Sequence, residues 1–204
     1  MPSAEALAAA LSMVKSPQLT SRAREVPLPQ GVTFLLQVAA GEPDAVEEAC
    51  RLTDQTEKHL RKAAGFFVEQ VLLTQPIDHY RVLGCNRKSS NRDLRRHMAL
   101  MMKWLHPDVA GDGSPKLGFD KSLYANRVTE AWEALKTDER RAVYDRTLVA
   151  KEQSTGNLRW HLLSSPSPNQ TVASETRLQI VPYRLPVKPV GFWTRIFSLF
   201  ASRP

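Results

Sequence analysis

The stretch NRDLRRHMALMMKWLHPD, Asn91 to Asp108, decides how this 204-residue chain is read. From Asn91 to Leu105 it contains neither Gly nor Pro. At 100° per residue, Leu94, Met98, Met101 and Leu105 fall on one face of a helix. Arg92, Arg95, Arg96 and Lys103 fall on the opposite face. Such a helix buries one stripe and offers the other to water. Pro107 must end it, because its ring clashes with the preceding turn and it has no N–H to donate. His106, Pro107 and Asp108 therefore stand at a helix end, as a reactive or metal-binding turn, a docking tip, or a plain stop.

Working outward, the flanking segments repeat the helical pattern. DHYRVLG, from Asp78, is a short helix closed by Gly84 in the C′ position. DKSLYANRVTEAWEAL places Tyr124, Val128, Ala131 and Leu135 at i, i+4, i+7, i+11, with Trp132 also read as core. Its apolar face meets that of the 91–105 helix, so an antiparallel hairpin is expected. TDERRAVYDRTL follows, capped by Thr137 or Asp138. Upstream, GVTFLLQVAAG reads as a short helix between Gly31 and Gly41. PDAVEEACRL starts on Pro43 with acids in its first turn. DQTEKHLRKAAGFFVEQVLL aligns Leu60, Ala64, Phe67 and Val71, with Asp54 and Glu57 as a capping box and Pro76 beyond its end. MPSAEALAAALSMVK is read as a helix or frayed arm, not a signal peptide, since Glu5 interrupts it and no basic segment precedes it. The expectation is an all-α protein with four segments. These are an N-terminal helical region over 1–75, a hairpin domain over 76–148, a Pro/Ser-rich linker over 149–189 and a short amphipathic helix over 190–204.

In chain order, DHYRVLG, LRRHMALMMKWLHPD, RVTEAWEAL and DERRAVYDR resemble the successive helices of the J domain, the module of DnaJ-type co-chaperones. One His-Pro-Asp recurs by chance; four ordered segments at matching spacing are far more specific. The resemblance implies an antiparallel helical hairpin with flanking short helices that docks on a DnaK-type ATPase chaperone. It implies that Arg92, Arg95, Arg96 and Lys103 steer this chain to an acidic partner surface. It implies further that His106, Pro107 and Asp108 speed ATP hydrolysis on the partner, with Asp108 pairing with an arginine there. The chain would then be no enzyme and need no cofactor. Four positions depart from the family pattern. Leu105 precedes His106 where an aromatic is usual, Val109 stands where lysine is common, Met98-Ala99 replaces Tyr-Arg, and Ala125 replaces Phe. The absence of a Gly/Phe-rich segment after 148 and of CxxCxGxG modules resembles the divergent third class of the family.

Charge and composition bound the alternatives. The net charge is +7 overall, distributed as −2 over 1–77, +4 over 78–148 and +5 over 149–204, which favours an acidic partner. Nucleic acid is the competing partner for a basic helix, but no aromatic residues interleave with the basic face. A degenerate J-like interaction module without ATPase stimulation is the other competing function. His97 and His106 lack ligand spacing on one helical face and no third ligand is evident, so no metal site is expected. No nucleophile motif occurs. Cys50 and Cys85 lack CxxC spacing, read as incidental thiols, and fit a reducing, cytoplasmic setting. In the tail, Phe192, Trp193, Ile196, Phe197, Leu199 and Phe200 gather on one half of a helical wheel. That face suits a membrane interface, a protein groove or the chain's own N-terminal helices, so the expected location is cytoplasmic, peripheral to the inner face of a membrane in the first case. The client protein is not legible in the sequence.

Overall fold

The computed structural model describes residues 3–74, 78–106 and 121–163, with 151–163 as backbone alone. Among the described residues the fold is all-α. Helices α1 (Glu5–Lys15), α2 (Leu19–Glu25), α3 (Val32–Ala39), α4 (Pro43–Thr53) and α5 (Glu57–Phe67) come first, and a π-helical segment, Val68–Leu73, continues α5. Then follow α6 (His79–Val82), α7 (Asn91–Leu105), α8 (Lys121–Leu135) and α9 (Asp138–Leu163).

Most helix ends have a local cause. Gly31 and Gly41, at φ +83° and +69°, bracket α3 in left-handed conformations that other residues resist. Pro43 starts α4 with its φ already helical. Ser90 and Asp93 form a reciprocal capping box at the start of α7. The box expected at Asp54 and Glu57 does not form. Asp54 is instead the left-handed C-cap of α4, at φ +52°, and Thr56 precedes α5 without a side-chain cap. Its geometry is spent closing one helix, so it cannot open the next.

The predicted apolar faces are buried: Leu60, Ala64, Phe67 and Val71 in α5 and its continuation, Leu94, Met98, Met101 and Leu105 in α7, and Tyr124, Val128, Ala131 and Leu135 in α8. Helix α7 packs against α8, as the hairpin expectation requires. Each fully buried Leu or Met contributes roughly 1.5–3 kcal/mol relative to exposure. Trp132 was expected in this core but is only half-buried. It sits one position past Ala131 and so rotates off the α8 seam.

Two boundaries differ from the sequence reading. Helix α9 runs past residue 149, where the linker was expected to begin, to Leu163. No proline intervenes before Pro166, and Ala150, Lys151, Glu152 and Gln153 are good helix formers. At the other end, helices before and after residue 75 share one core, within a compact unit that extends to Leu162. Arg81 of α6 donates to the carbonyls of Val26 (2.9 Å) and Ala23 (2.5 Å). Arg127 of α8 donates to the Leu73 carbonyl. Gly84 lies so close to α3 that a Cβ there would be 2.8 Å from Val32 Cγ1. Pattern along one strand of sequence cannot show which helices share a core.

Gly84 combines that contact with φ +64°. Gly84→Ala is therefore expected to lower unfolding free energy by about 2 kcal/mol, through left-handed strain and the clash with Val32. Urea denaturation followed by far-UV circular dichroism measures it; an unchanged midpoint would show that α3 and the α6 turn do not pack as described.

Candidate functional site

Helix α7 carries three stripes. The first, Leu94, Met98, Met101 and Leu105, is buried. The second is the basic one: Arg92, Arg95, Arg96 and Lys103 are all exposed, with half-exposed Ala99 between them. Spacings of three and four residues align them into a strip pointing at His106. Among the described residues, no ion pair engages Arg92, Arg95 or Arg96. Lys103 differs, since its Nζ lies 2.5 Å from Glu42 Oε1, at the N-cap of α4. Both partners are partly exposed, so solvent screens this pair and its net worth is about 0–1 kcal/mol.

The third stripe was not anticipated. His97 (4% exposed) and Leu100 are also buried, off one side of the hairpin seam, and Met102 is buried off the other. His97 Nδ1 is 2.9 Å from the Leu83 carbonyl, and Nε2 is 2.7 Å from Thr33 Oγ1. A carbonyl only accepts, so Nδ1 carries the proton and Nε2 accepts from the threonine hydroxyl. Cys85 Sγ lies 3.3 Å from the same Nδ1. Burial pushes the His97 pKa below its usual value, more than the Leu83 carbonyl can offset. The imidazole is a neutral bracket joining α3, the α6–α7 turn and α7. Burial likewise pushes the Cys85 thiol up to about 12, which leaves it a protonated, unreactive group.

His106 is half-buried and closes α7 as its C-cap, with φ −60° and ψ +135°. Its N–H donates to the Lys103 carbonyl at 3.2 Å. The extended backbone is what a residue before proline must adopt. Pro107 and Asp108 lie outside the described residues, as do the tail residues Phe192, Trp193, Ile196, Phe197 and Phe200.

Behind the strip, a polar network ties α6 to α9. Asp78 caps α6 by accepting from the Tyr80 amide at 3.1 Å, and it also accepts from Tyr144 OH at 3.0 Å. Tyr144 OH in turn accepts from the His79 amide at 2.9 Å. Tyr80 OH donates to Asp145 Oδ1 (2.8 Å) and accepts from Arg141 Nε (2.9 Å). Burial, assisted by Asp145, pushes the Tyr80 pKa up to about 12, so the phenol stays a donor at any physiological pH. Arg141 reaches on to the Arg87 carbonyl, fixing the turn before α7.

The segment that contains this network, the strip and the turn is the one recognised by family comparison. Residues 78–145 match the family model of the DnaJ domain. This segment is a DnaJ domain. Similar proteins include the chaperone protein DnaJ of Xanthobacter autotrophicus, 39% identical over 71 residues, covering 34% of this chain and 17% of the relative. Chaperone protein DnaJ 1 of Cutibacterium acnes is 35% identical over 69 residues, with 34% and 16% covered. Chaperone protein DnaJ of Thermoplasma volcanium is 32% identical over 70 residues, with 34% and 18% covered. The chain thus spans about a sixth of the length of the curated relatives it matches. No solved structure matches the chain significantly.

Within the segment matched by the DnaJ domain model, the structure brings Arg92, Arg95, Arg96, Lys103 and His106 onto one helix and its end. Among the described residues no cluster of three His, Cys, Asp or Glu side chains is arranged to hold a metal ion. No described helix is long and apolar enough to cross a membrane. The sequence carries a signal for the buried place of His97. The histidine lies three residues after Leu94 and four before Met101, at the edge of the apolar stripe. Ser90-x-x-Asp93 was likewise readable as a capping box.

The neutral His97 has a consequence for stability. Unfolded, it takes up a proton near its ordinary pKa of about 6.5; folded, it does so only at lower pH. Its contribution is full above pH 6.5 and is lost as pH falls through the folded value, with a slope approaching about 1.4 kcal/mol per pH unit. Buried Glu69, whose pKa is raised by burial, acts in the opposite sense. The His97 effect is therefore read as a difference: the stability gap between wild type and His97→Gln in urea should narrow from pH 7.5 to 5.5. A gap independent of pH would refute the neutral bracket.

Proposed function

We propose that this chain is a co-chaperone that docks on a DnaK-type chaperone and stimulates its ATPase through His106, Pro107 and Asp108. The observation that carries the reading is the exposed strip Arg92, Arg95, Arg96 and Lys103, which runs along α7 to His106 within a DnaJ domain. Exposed cations aligned over one helix face draw in an acidic partner and set its orientation. The relatives named DnaJ chaperones match the chain over this domain alone, so the remaining segments have no counterpart in that comparison. They belong to the divergent third class in this reading, in which the added segments choose location or client. The chemistry takes place on the partner: binding here shifts the partner toward its hydrolysing state. The tail face of Phe192, Trp193, Ile196, Phe197 and Phe200 belongs to the same proposal, as a peripheral anchor or a docking helix, on the strength of its sequence pattern.

Single-turnover ATP hydrolysis by a DnaK-type chaperone tests the reading. Wild type should accelerate the step, and His106→Gln or Asp108→Asn should each reduce the acceleration by about 30-fold, as loss of a hot-spot contact does. No acceleration by wild type would refute co-chaperone activity; equal acceleration by both variants would acquit the named residues.

In the same assay, the triple variant Arg92→Ala, Arg95→Ala, Arg96→Ala should raise the half-maximal concentration at least about tenfold at low ionic strength, and the gap should shrink as salt screens the strip. A gap that does not respond to salt would mean that the three arginines are not a steering surface.

A further inference from the structure

The last turn of α7 is held from outside the DnaJ domain. Trp104 is half-buried and rests on Gly65 of α5, where a Cβ would lie 3.3 Å from the indole Nε1 and 3.5 Å from Cζ2. Gly65 is buried in the interior of a helix, a position where glycine is unfavourable unless space demands it. Its neighbour Lys103 pairs with Glu42 at 2.5 Å. The next residue, Leu105, is buried (1% exposed) in the hairpin. Three consecutive residues, directly ahead of His106, are thus anchored on three different sides. The family pattern places an aromatic immediately before the histidine, and here it stands one position earlier. That shift turns the ring away from the hairpin seam and onto α5.

We propose that Trp104, seated on Gly65, is a positioning residue for His106 at the end of α7, and that residues 3–74 serve as a brace for it. The inference rests on the co-chaperone reading and gives the N-terminal helices a part in that site. The end of α7 can fray in its final turn. Packing the indole against α5 removes that freedom, so the histidine meets the partner in one pose. Displacement of a functional group by about 1 Å can cost up to about a hundredfold in rate. The docking strip lies on the far side of α7 and is untouched by the contact. Bracing therefore acts on the stimulated rate more than on the concentration needed for docking.

The test uses the full chain and a DnaK-type chaperone in single turnover, with the partner titrated to saturation. Three variants are compared: Trp104→Ala removes the contact, Trp104→Phe keeps a ring on Gly65, and Gly65→Val drives the indole outward. Each is first checked by far-UV circular dichroism and thermal melting, and assayed at a temperature where it is fully folded. Trp104→Ala and Gly65→Val should lower the maximal stimulated rate by about tenfold while the half-maximal concentration moves by less than about twofold. Trp104→Phe should recover most of the rate. Gly65→Ala, which gains helix propensity and asks only a few tenths of an ångström of the indole, should stay folded and fall between wild type and Gly65→Val. Wild-type rates in folded Trp104→Ala and Gly65→Val would overturn the brace while leaving the co-chaperone reading intact. A changed half-maximal concentration at constant maximal rate would also overturn it, as would a loss that Trp104→Phe does not rescue. No stimulation by wild type would overturn both together.

Discussion

Helix α7 has to bury two of its edges and keep the third in water. The Leu94–Leu105 stripe is claimed by α8, and the adjoining edge, with His97 and Trp104, faces the N-terminal helices. Only then do Arg92, Arg95 and Arg96 stand clear along a single strip. Were the His97 edge open, a large apolar surface would flank the cations and compete for any partner. The imidazole makes the second burial tolerable, because both of its nitrogens find partners inside. The basic strip is thus what remains when two other faces have been used.

This changes what the N-terminal helices are. Alone they read as a small separate unit, and the charge shift near residue 77 encourages that view. In the fold they close the back of the DnaJ domain through Arg81 and the carbonyls of Ala23 and Val26, through Thr33 and His97, and through Gly65 and Trp104. Glu42 reaches the front and meets Lys103 at the edge of the strip. The same helices therefore pack on the last turn of α7 and touch its basic strip. Extra helices packed this way make the domain thicker without covering the arginines.

Much of the fold was legible because α-helical period and punctuation are local properties. The bounds of α7 follow from Ser90, an uninterrupted run, and the proline after His106. Glycines at 31, 41 and 84 mark turns that only the left-handed region allows. Where local signals compete, reading by pattern misassigns them. Asp54 suits both a cap for α5 and a close for α4, and the chain uses it for the second. Polarity after Leu148 suggested a linker, yet helix propensity carries the backbone on to Leu163.

By itself, the sequence determined the all-α class, the hairpin stripes, the basic strip and the helix end at His106, since each depends on residues within a few turns of one another. The tertiary structure alone decided that His97 is a neutral bracket, that Trp132 leaves the core, that Lys103 finds Glu42, and that Trp104 lies on Gly65. The contacts of His97 with Thr33, Lys103 with Glu42 and Trp104 with Gly65 join residues 39 to 64 positions apart, and the glycine's missing side chain matters only once another helix arrives to fill the space. Periodicity records which face of a helix is buried; only packing says against what.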